Sequence, residues 1–328
     1  MLSRIANSLF WLSRYLERAD NTARLIEINQ AYLLESEDAL SESSQWEPLL
    51  VITDSKKSYE DACGAEVTAA RMLQFLAREP GNPNAIRSCL RLARENARVV
   101  RDRISKEMWE AMNELWIFVD AELAEHLPDE KANRFFGAIR REVARFHGLT
   151  ASTMMRSEAY GFYLLGTHLE RADMTARILD VKYHLLLPKL ELVGSALDYY
   201  QWAALLKSLS GFEAYRRQFQ TGLKPVDVAG FAVLERDFPR SLAFCADRMT
   251  QALRRIGVKG PESRTYQILS QLTGDLHETT PTQIFEQGLH EFLGDFLTRI
   301  SHLSDAVSWD YFQVADVLPD PQGFDSQS

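Results

Sequence analysis

Apolar residues recur at intervals of three and four along the N-terminal part of the chain. Leu2, Ile5, Leu9 and Leu12 begin a series that continues to Leu33. This spacing places them on one face of a helix, so we predict a single long α-helix over residues 2–35. Runs of alternating β-branched residues and Asn-Gly or Asp-Gly turns, which mark strands and hairpins, are missing from the sequence. The chain is therefore predicted to be all-α.

The same spacing, bounded by Ser, Pro and Gly residues, predicts further helices along the whole chain. We expect them at residues 46–53, 58–78, 84–118, 128–150, 157–187, 196–208, 211–222, 225–235, 239–256, 262–276 and 282–312. The final residues contain Pro319, Pro321 and Gly323 and offer little that could be buried. Residues 316–328 are accordingly predicted to form a disordered tail.

One segment of the sequence occurs twice with a single difference. LERADNTAR fills residues 16–24 and LERADMTAR fills residues 169–177, and we call these the first and second LERAD segments. The likeness continues downstream at a separation of 156 residues, where Trp46 matches Trp202, Tyr59 matches Tyr215, Pro83 matches Pro239 and Cys89 matches Cys245. We therefore predict an internally duplicated helical bundle of two pseudo-symmetric units, residues 1–154 and 155–315.

Each LERAD segment places four charged residues in a helix that is otherwise apolar nearly all round. In the first segment Glu17, Asp20 and Arg24 fall within a sector of about 60°, while Arg18 falls on another side of the helix. The second segment repeats the pattern with Glu170, Arg171, Asp173 and Arg177. Burying an unpaired ion costs several kcal/mol, so we expect these charges to be paired, with Asp20 and Arg24 one turn apart.

A second charged cluster, within residues 91–103, offers candidate partners for the LERAD segments. We expect Arg94, Glu95, Asn96 and Arg98 to form a pocket wall in the first unit. Three interpretations of all these charged residues remain open. They could form a structural ion-pair network that fixes the helices in register, a site for an anion or carboxylate, or a surface that docks another protein.

Composition excludes several classes of function. The chain has 37 basic and 46 acidic residues and a net charge of −9, which argues against general nucleic-acid binding. No apolar run approaches the roughly 18 residues that a membrane-spanning helix needs, so no membrane association is expected. Three cysteines in a chain of 328 residues fit a reducing cytoplasm rather than a disulfide scaffold.

Familiar catalytic and cofactor motifs are missing from the sequence. We find no Glu-x-x-His pair for a di-iron centre, no phosphate-binding Gly-rich loop and no G-x-S-x-G. Three isolated cysteines do not make a zinc finger, and Cys89 and Cys245 are expected to be packed core thiols. No metal and no cofactor is therefore predicted.

At LERADNTAR and LERADMTAR the sequence resembles the alpha-E domain family of bacterial proteins, which is all-helical and named for a Glu-Arg motif. The motif falls on Glu17-Arg18 and Glu170-Arg171, and residues 93–113 and 236–242 also follow the family's pattern. The resemblance extends to about residue 312. Members of the family are typically encoded beside, or fused to, an ATP-grasp-like ligase with permuted motifs, often near a transglutaminase-like protein.

The resemblance implies an accessory or scaffold subunit of the bacterial cytoplasm. Its expected partners are an ATP-grasp-like ligase and a transglutaminase-like protein, in peptide or amide bond synthesis or protein modification. The alternative is an amide- or peptide-processing enzyme in which Glu17 or Glu170 is the general base and arginines hold a carboxylate. Carboxylates in an open cleft without partners would favour the enzyme, whereas carboxylates that face arginines inside packed helices would disfavour it.

Overall fold

The computed structural model describes residues 1–35, 42–124, 129–186, 196–220, 222–257 and 262–313, and all the regular secondary structure in these ranges is helical. The helices are α1 (Ser3–Glu35), α2 (Glu42–Ile52), α3 (Lys56–Cys63), α4 (Ala69–Arg78), α5 (Ile86–Val99), α6 (Lys106–Glu122), α7 (Asp129–Thr153), α8 (Glu158–Leu186), α9 (Ala196–Ser208), α10 (Phe212–Gln218), α11 (Pro225–Leu234), α12 (Leu242–Ile256), α13 (Arg264–Glu278), α14 (Pro281–Gln287) and α15 (Leu289–Val307), followed by a π-helical turn over Ser308–Phe312.

The all-α prediction is confirmed, and the long helices α1 and α8 begin and end within a residue of their predicted bounds. The prediction of one helix over residues 58–78 is wrong. Gly64, at a φ of 78°, ends α3 in a conformation that favours glycine, and the Thr68 hydroxyl caps α4 by accepting a hydrogen bond from the Arg71 amide. The predicted tail, residues 316–328, lies outside the described residues.

Two further predicted helices are also each divided in two. Residues 84–118 form α5 and α6, because the Ser105 hydroxyl accepts from the Met108 amide and starts a new helix. Residues 282–312 are interrupted at Gly288, whose φ of 100° separates α14 from α15. In these places the apolar spacing continues on both sides of the break, so spacing alone could not reveal it.

Helices α1 and α8 lie at the centre of the fold and pack along each other. Around α1, helices α5 and α7 pack against it and α6 bridges them; around α8, helices α12 and α15 pack against it and α13 bridges them. Each central helix therefore belongs to a group of four, and the two groups meet where α1 contacts α8.

The crossing of α1 and α8 is unusually close at Gly166. A β-carbon at this position would lie 2.3 Å from the carbonyl oxygen of Phe10 and equally close to the Ser13 hydroxyl. Glycine is required because no other residue leaves room for the backbone of α1. The LERAD segments begin one turn beyond this crossing, on α1 and on α8. The close approach brings them side by side in the core.

Candidate functional site

The ion pairs of the two LERAD segments are exchanged between the central helices. Arg18 Nε on α1 donates to Glu170 Oε1 on α8 at 2.6 Å. In return, the Arg171 guanidinium on α8 donates to both carboxylate oxygens of Glu17 on α1. The glutamate of each segment is thus bound by the arginine that follows the glutamate in the other segment.

Glu170 is held by two arginines of α1. Besides Arg18, Arg14 Nε donates to Glu170 Oε2 at 2.7 Å, and the two guanidiniums are themselves fixed by Ser304 and Asn84. The residue is 1% exposed. Burial alone would raise the pKa of Glu170, but Arg18 and Arg14 outweigh it and lower the pKa to about 2. Glu170 is therefore ionised at neutral pH and held in the core by two arginines.

Glu17 has the equivalent position on α1 and a different set of partners. In addition to Arg171, Arg240 Nη1 lies 3.7 Å from Glu17 Oε2, and His147 Nε2 lies 3.2 Å from Oε1. Burial opposes ionisation here too, yet Arg171, His147 and Arg240 together hold the pKa of Glu17 well below its usual range. Both LERAD glutamates are anions with cationic partners inside the core.

The two aspartates of the LERAD segments pair along their own helices. Arg24 contacts Asp20 one turn away, as expected, and Arg177 Nε donates to Asp173 Oδ2 at 2.8 Å. Arg240 also reaches Asp20, with Nη2 3.0 Å from Oδ2. Burial raises the pKa of Asp173; Arg177 opposes this shift, and nearby Glu170 adds to it.

The prediction that these charges are buried is confirmed for both glutamates, Asp20 and Arg24. The prediction that residues 91–103 supply their partners is wrong, because the partners are arginines of α1 and α8 themselves together with Arg240. The contact between α1 and α8 explains the difference: Arg18 and Arg171 each reach across it to the glutamate of the other helix.

The predicted pocket wall lies elsewhere on α5. Arg94 Nε donates to Asn113 at 2.7 Å, the Asn96 amide donates to the Leu92 carbonyl oxygen, and Arg98 pairs with Glu95 at the exposed surface. None of the four predicted residues lines either cavity beside the LERAD segments. Their role as a pocket wall stays a prediction.

Three residues of this site, Arg14, His147 and Arg240, were not predicted from the sequence. Arg240 lies within residues 236–242, a segment that follows the family pattern, and that pattern could have indicated it as a site residue. Arg14 lies one turn before Arg18 on α1, where its charge among apolar neighbours was visible. His147 on α7 carried no local signal, because only the packing of α7 against α1 brings it to Glu17.

Two cavities flank the exchanged ion pairs. The Glu170 cavity has a volume of about 310 Å³, and the Glu17 cavity has a volume of about 600 Å³. The charged residues of the Glu170 cavity are Arg14, Arg18, Asp54, Glu170, Asp173, Arg177 and Asp305. The lining of the Glu17 cavity is Glu17, Asp20, Arg24, Glu27, Gly137, Arg140, Arg141, Val143, Ala144, His147, Arg171, Ser210 and Arg240.

The two core cysteines are expected to be chemically inert. Cys89 Sγ lies 3.7 Å from the Pro83 carbonyl oxygen and Cys245 Sγ lies 3.8 Å from that of Pro239, and burial raises the pKa of both thiols to about 12. Iodoacetamide should label half-buried Cys63 in the folded chain but reach Cys89 and Cys245 only after unfolding, as peptide mass spectrometry can measure. Rapid labelling of either core thiol in the folded chain would contradict this.

The depressed pKa of Glu170 predicts a loss of stability in acid. Its pKa falls from 4.5 to about 2 on folding, so its stabilisation is complete above about pH 4.5 and disappears as the pH approaches 2. The lowered pKa of Glu17 adds to this loss of stability in acid, whereas the raised pKa of Asp173 reduces it. Urea unfolding over this pH range should show the decline, and Glu170→Gln should flatten it. An equally steep decline in Glu170→Gln would contradict the assignment.

No three His, Cys, Asp or Glu side chains within the described ranges group closely enough to hold a metal ion. In the same ranges, no helix combines the length and the apolar character that crossing a membrane requires.

Fold and site together define an all-helical protein whose central helices exchange Glu-Arg pairs. The chain belongs to the Alpha-E family: the family model, described as a predicted alpha-helical domain with a conserved ER motif, matches residues 1–312. The predicted family resemblance is confirmed, and the placement of the ER motif on Glu17-Arg18 and Glu170-Arg171 stays a prediction.

Curated relatives of this chain are uncharacterised. It is 23% identical over 340 residues to an uncharacterised protein of Mycobacterium bovis and 22% identical to one of Mycobacterium tuberculosis. Each match covers 96% of this chain but 36% of the relative, so the chain spans little more than a third of the relatives' length. No solved structure matches the chain.

Proposed function

We propose that this chain is a non-catalytic accessory subunit that works with an ATP-grasp-like ligase in peptide or amide bond synthesis or protein modification. The burial and arginine pairing of Glu17 and Glu170, the two candidate general bases, support the non-catalytic part of this proposal. Each is 1% exposed and each is engaged by two arginines. A general base works best with a pKa near the operating pH, and these carboxylates are held far below it.

Support for a partner protein comes from the family and from the relatives. The ATP-grasp-like ligase, and a transglutaminase-like protein as a second partner, follow from the resemblance to bacterial alpha-E proteins. The region that matches this chain makes up 36% of the length of the mycobacterial relative. A unit that forms part of a longer protein in its relatives is expected to act next to other domains. We place this activity in the bacterial cytoplasm.

We also propose that the chain is two pseudo-symmetric units, residues 1–154 and 155–315. Matching contacts support this organisation. The Tyr59 hydroxyl donates to the Glu66 carbonyl oxygen at 2.8 Å, and the Tyr215 hydroxyl donates to that of Gly222 at 3.0 Å. Exchange of Glu-Arg pairs between α1 and α8 is the arrangement that a two-fold relation between the units would produce.

The alternative is an amide- or peptide-processing enzyme, and one observation favours it. The Glu17 cavity places Arg24, Arg140 and Arg141 beside the Glu17 carboxylate, in a volume of about 600 Å³ that a small substrate could fill. Against it stands the low pKa of Glu17, which makes this carboxylate a weak base.

Reconstitution with the ligase encoded beside this chain tests the proposal. The two proteins should co-purify, and ATP turnover by the ligase should depend on this chain. Glu17→Gln, studied at a temperature where it stays folded, should preserve that dependence, because the carboxylate has no catalytic role. Abolished product formation in an intact Glu17→Gln complex would favour the enzyme, and neither association nor an effect on the ligase would end the accessory hypothesis.

A further inference from the structure

The Glu17 cavity holds more positive than negative charge. Five guanidiniums line it and face three carboxylates, which leaves an excess of two positive charges in a chain whose net charge is −9. The guanidiniums belong to Arg24, Arg140, Arg141, Arg171 and Arg240, and the carboxylates to Glu17, Asp20 and Glu27. An excess of this kind within a concave site favours an anionic ligand.

Several of these arginines lack full sets of partners. Arg24 has a side chain that is 5% exposed, and its Nε is buried without a hydrogen-bond acceptor. Arg140 Nε is buried without an acceptor as well, although the residue pairs with Glu27. Arg141, at the exposed side of the cavity, makes no ion pair within the described part of the chain. Buried donors are normally satisfied, so the Nε groups of Arg24 and Arg140 point to a missing acceptor.

The lowered pKa of Arg24 reflects the same shortage of negative charge in the cavity. Burial lowers its pKa, nearby Arg240 lowers it further against the opposing effect of Asp20, and the result is about 10. Its Nη1 donates to the hydroxyl of Ser210, a residue at a φ of 54°, which is rare for a non-glycine residue. The strained serine presents a polar group in the cavity without adding a charge.

The Glu170 cavity provides an internal comparison. Three arginines face four carboxylates there, so its charge is negative overall. The residue that corresponds to Ser210 by the 156-residue separation is Asp54, which has a φ of 52° and lines the Glu170 cavity. The same backbone position therefore carries an anion in one cavity and a neutral hydroxyl in the other.

We propose that the Glu17 cavity binds the phosphate group of a small phosphorylated molecule. A phosphate monoester carries about −1.5 to −2 charges at neutral pH and so matches the excess, whereas a single carboxylate would leave one positive charge. Guanidiniums bind phosphate oxygens in a bidentate fork. The volume of about 600 Å³ exceeds that of a bare phosphate, and Ala144 offers apolar surface to the rest of the molecule.

Calorimetric titration of the full chain with inorganic phosphate and then with succinate tests this. Phosphate should bind to the wild type, and succinate should bind more weakly. Arg141→Gln removes one charge-assisted donor without disturbing a buried ion pair, so it should weaken phosphate binding about tenfold. Arg140→Gln serves as a second variant of the lining. Arg134→Gln makes the same charge change on α7 outside the cavity and should leave the affinity unchanged.

Three results would overturn the proposal: no phosphate binding by the wild type, equal weakening by Arg134→Gln and Arg141→Gln, or succinate binding as tightly as phosphate. The titration uses this chain alone, so its outcome is independent of the ligase partnership. Failure to bind phosphate would leave the accessory role standing, and failure to bind a ligase would leave the phosphate site standing.

Discussion

Replacing Glu17 with alanine is expected to lower the free energy of unfolding by about 3–5 kcal/mol. The substitution leaves Arg171 and Arg240 in the core without the carboxylate that both contact. The penalty comes mainly from the lost compensation of these buried cations rather than from the loss of the glutamate itself, and chiefly from Arg171, since Arg240 keeps its pair with Asp20. Urea unfolding followed by far-UV circular dichroism measures the change.

Glu95→Ala is the matched control for that substitution. Glu95 pairs with Arg98 at the surface, where the guanidinium is 67% exposed, so its removal should cost less than about 1 kcal/mol. If Glu17→Ala were no more destabilising than this control, the buried pair would not be structural. A stable Glu17→Ala variant that had lost its function would instead favour a ligand or catalytic site.

Gly166→Ala is expected to destabilise the protein by about 3 kcal/mol, at the upper end of the range for overpacked cores. The added β-carbon would lie 2.3 Å from the Phe10 carbonyl oxygen, so α1 and α8 would have to separate. Separation at this point would also lengthen the exchanged pairs that begin one turn beyond it. Urea unfolding followed by far-UV circular dichroism measures this change in the free energy of unfolding.

Gly148→Ala controls for the general effect of placing alanine in a helix. Gly148 lies within α7, and a β-carbon there would meet nothing within 4 Å. Alanine is favoured over glycine in helices, so this variant should gain about 0.5–1 kcal/mol. A Gly166→Ala variant as stable as the wild type would mean that the two helices do not approach as closely as described.

The spacing of apolar residues predicted the individual central helices and the contacts within them. The long apolar series of α1 and α8 identified both central helices and placed Glu17 and Glu170 among buried neighbours, because a helix that is apolar nearly all round must be covered on all sides. The Asp20–Arg24 pair was predictable for the same reason, since one helical turn fixes it.

The exchange of partners could not be predicted, because it depends on where α1 crosses α8. Arg18 and Glu170 are far apart in sequence, and a helical wheel gives the direction of a side chain without its partner. The breaks at Gly64 and Gly288 were missed for a different reason. The apolar spacing continues past both glycines, and the backbone conformation that ends each helix leaves little trace in that spacing.

A double-mutant cycle tests the exchanged pairing most directly. Unfolding free energies of Glu17→Gln, Arg171→Gln and the double variant give the coupling across the helices, and Arg18→Gln in place of Arg171→Gln gives the coupling between neighbours in sequence. We expect a coupling free energy of about 2 kcal/mol between Glu17 and Arg171. Between Glu17 and Arg18 we expect less than about 0.5 kcal/mol. Strong coupling of Glu17 to Arg18, with none to Arg171, would contradict the exchange.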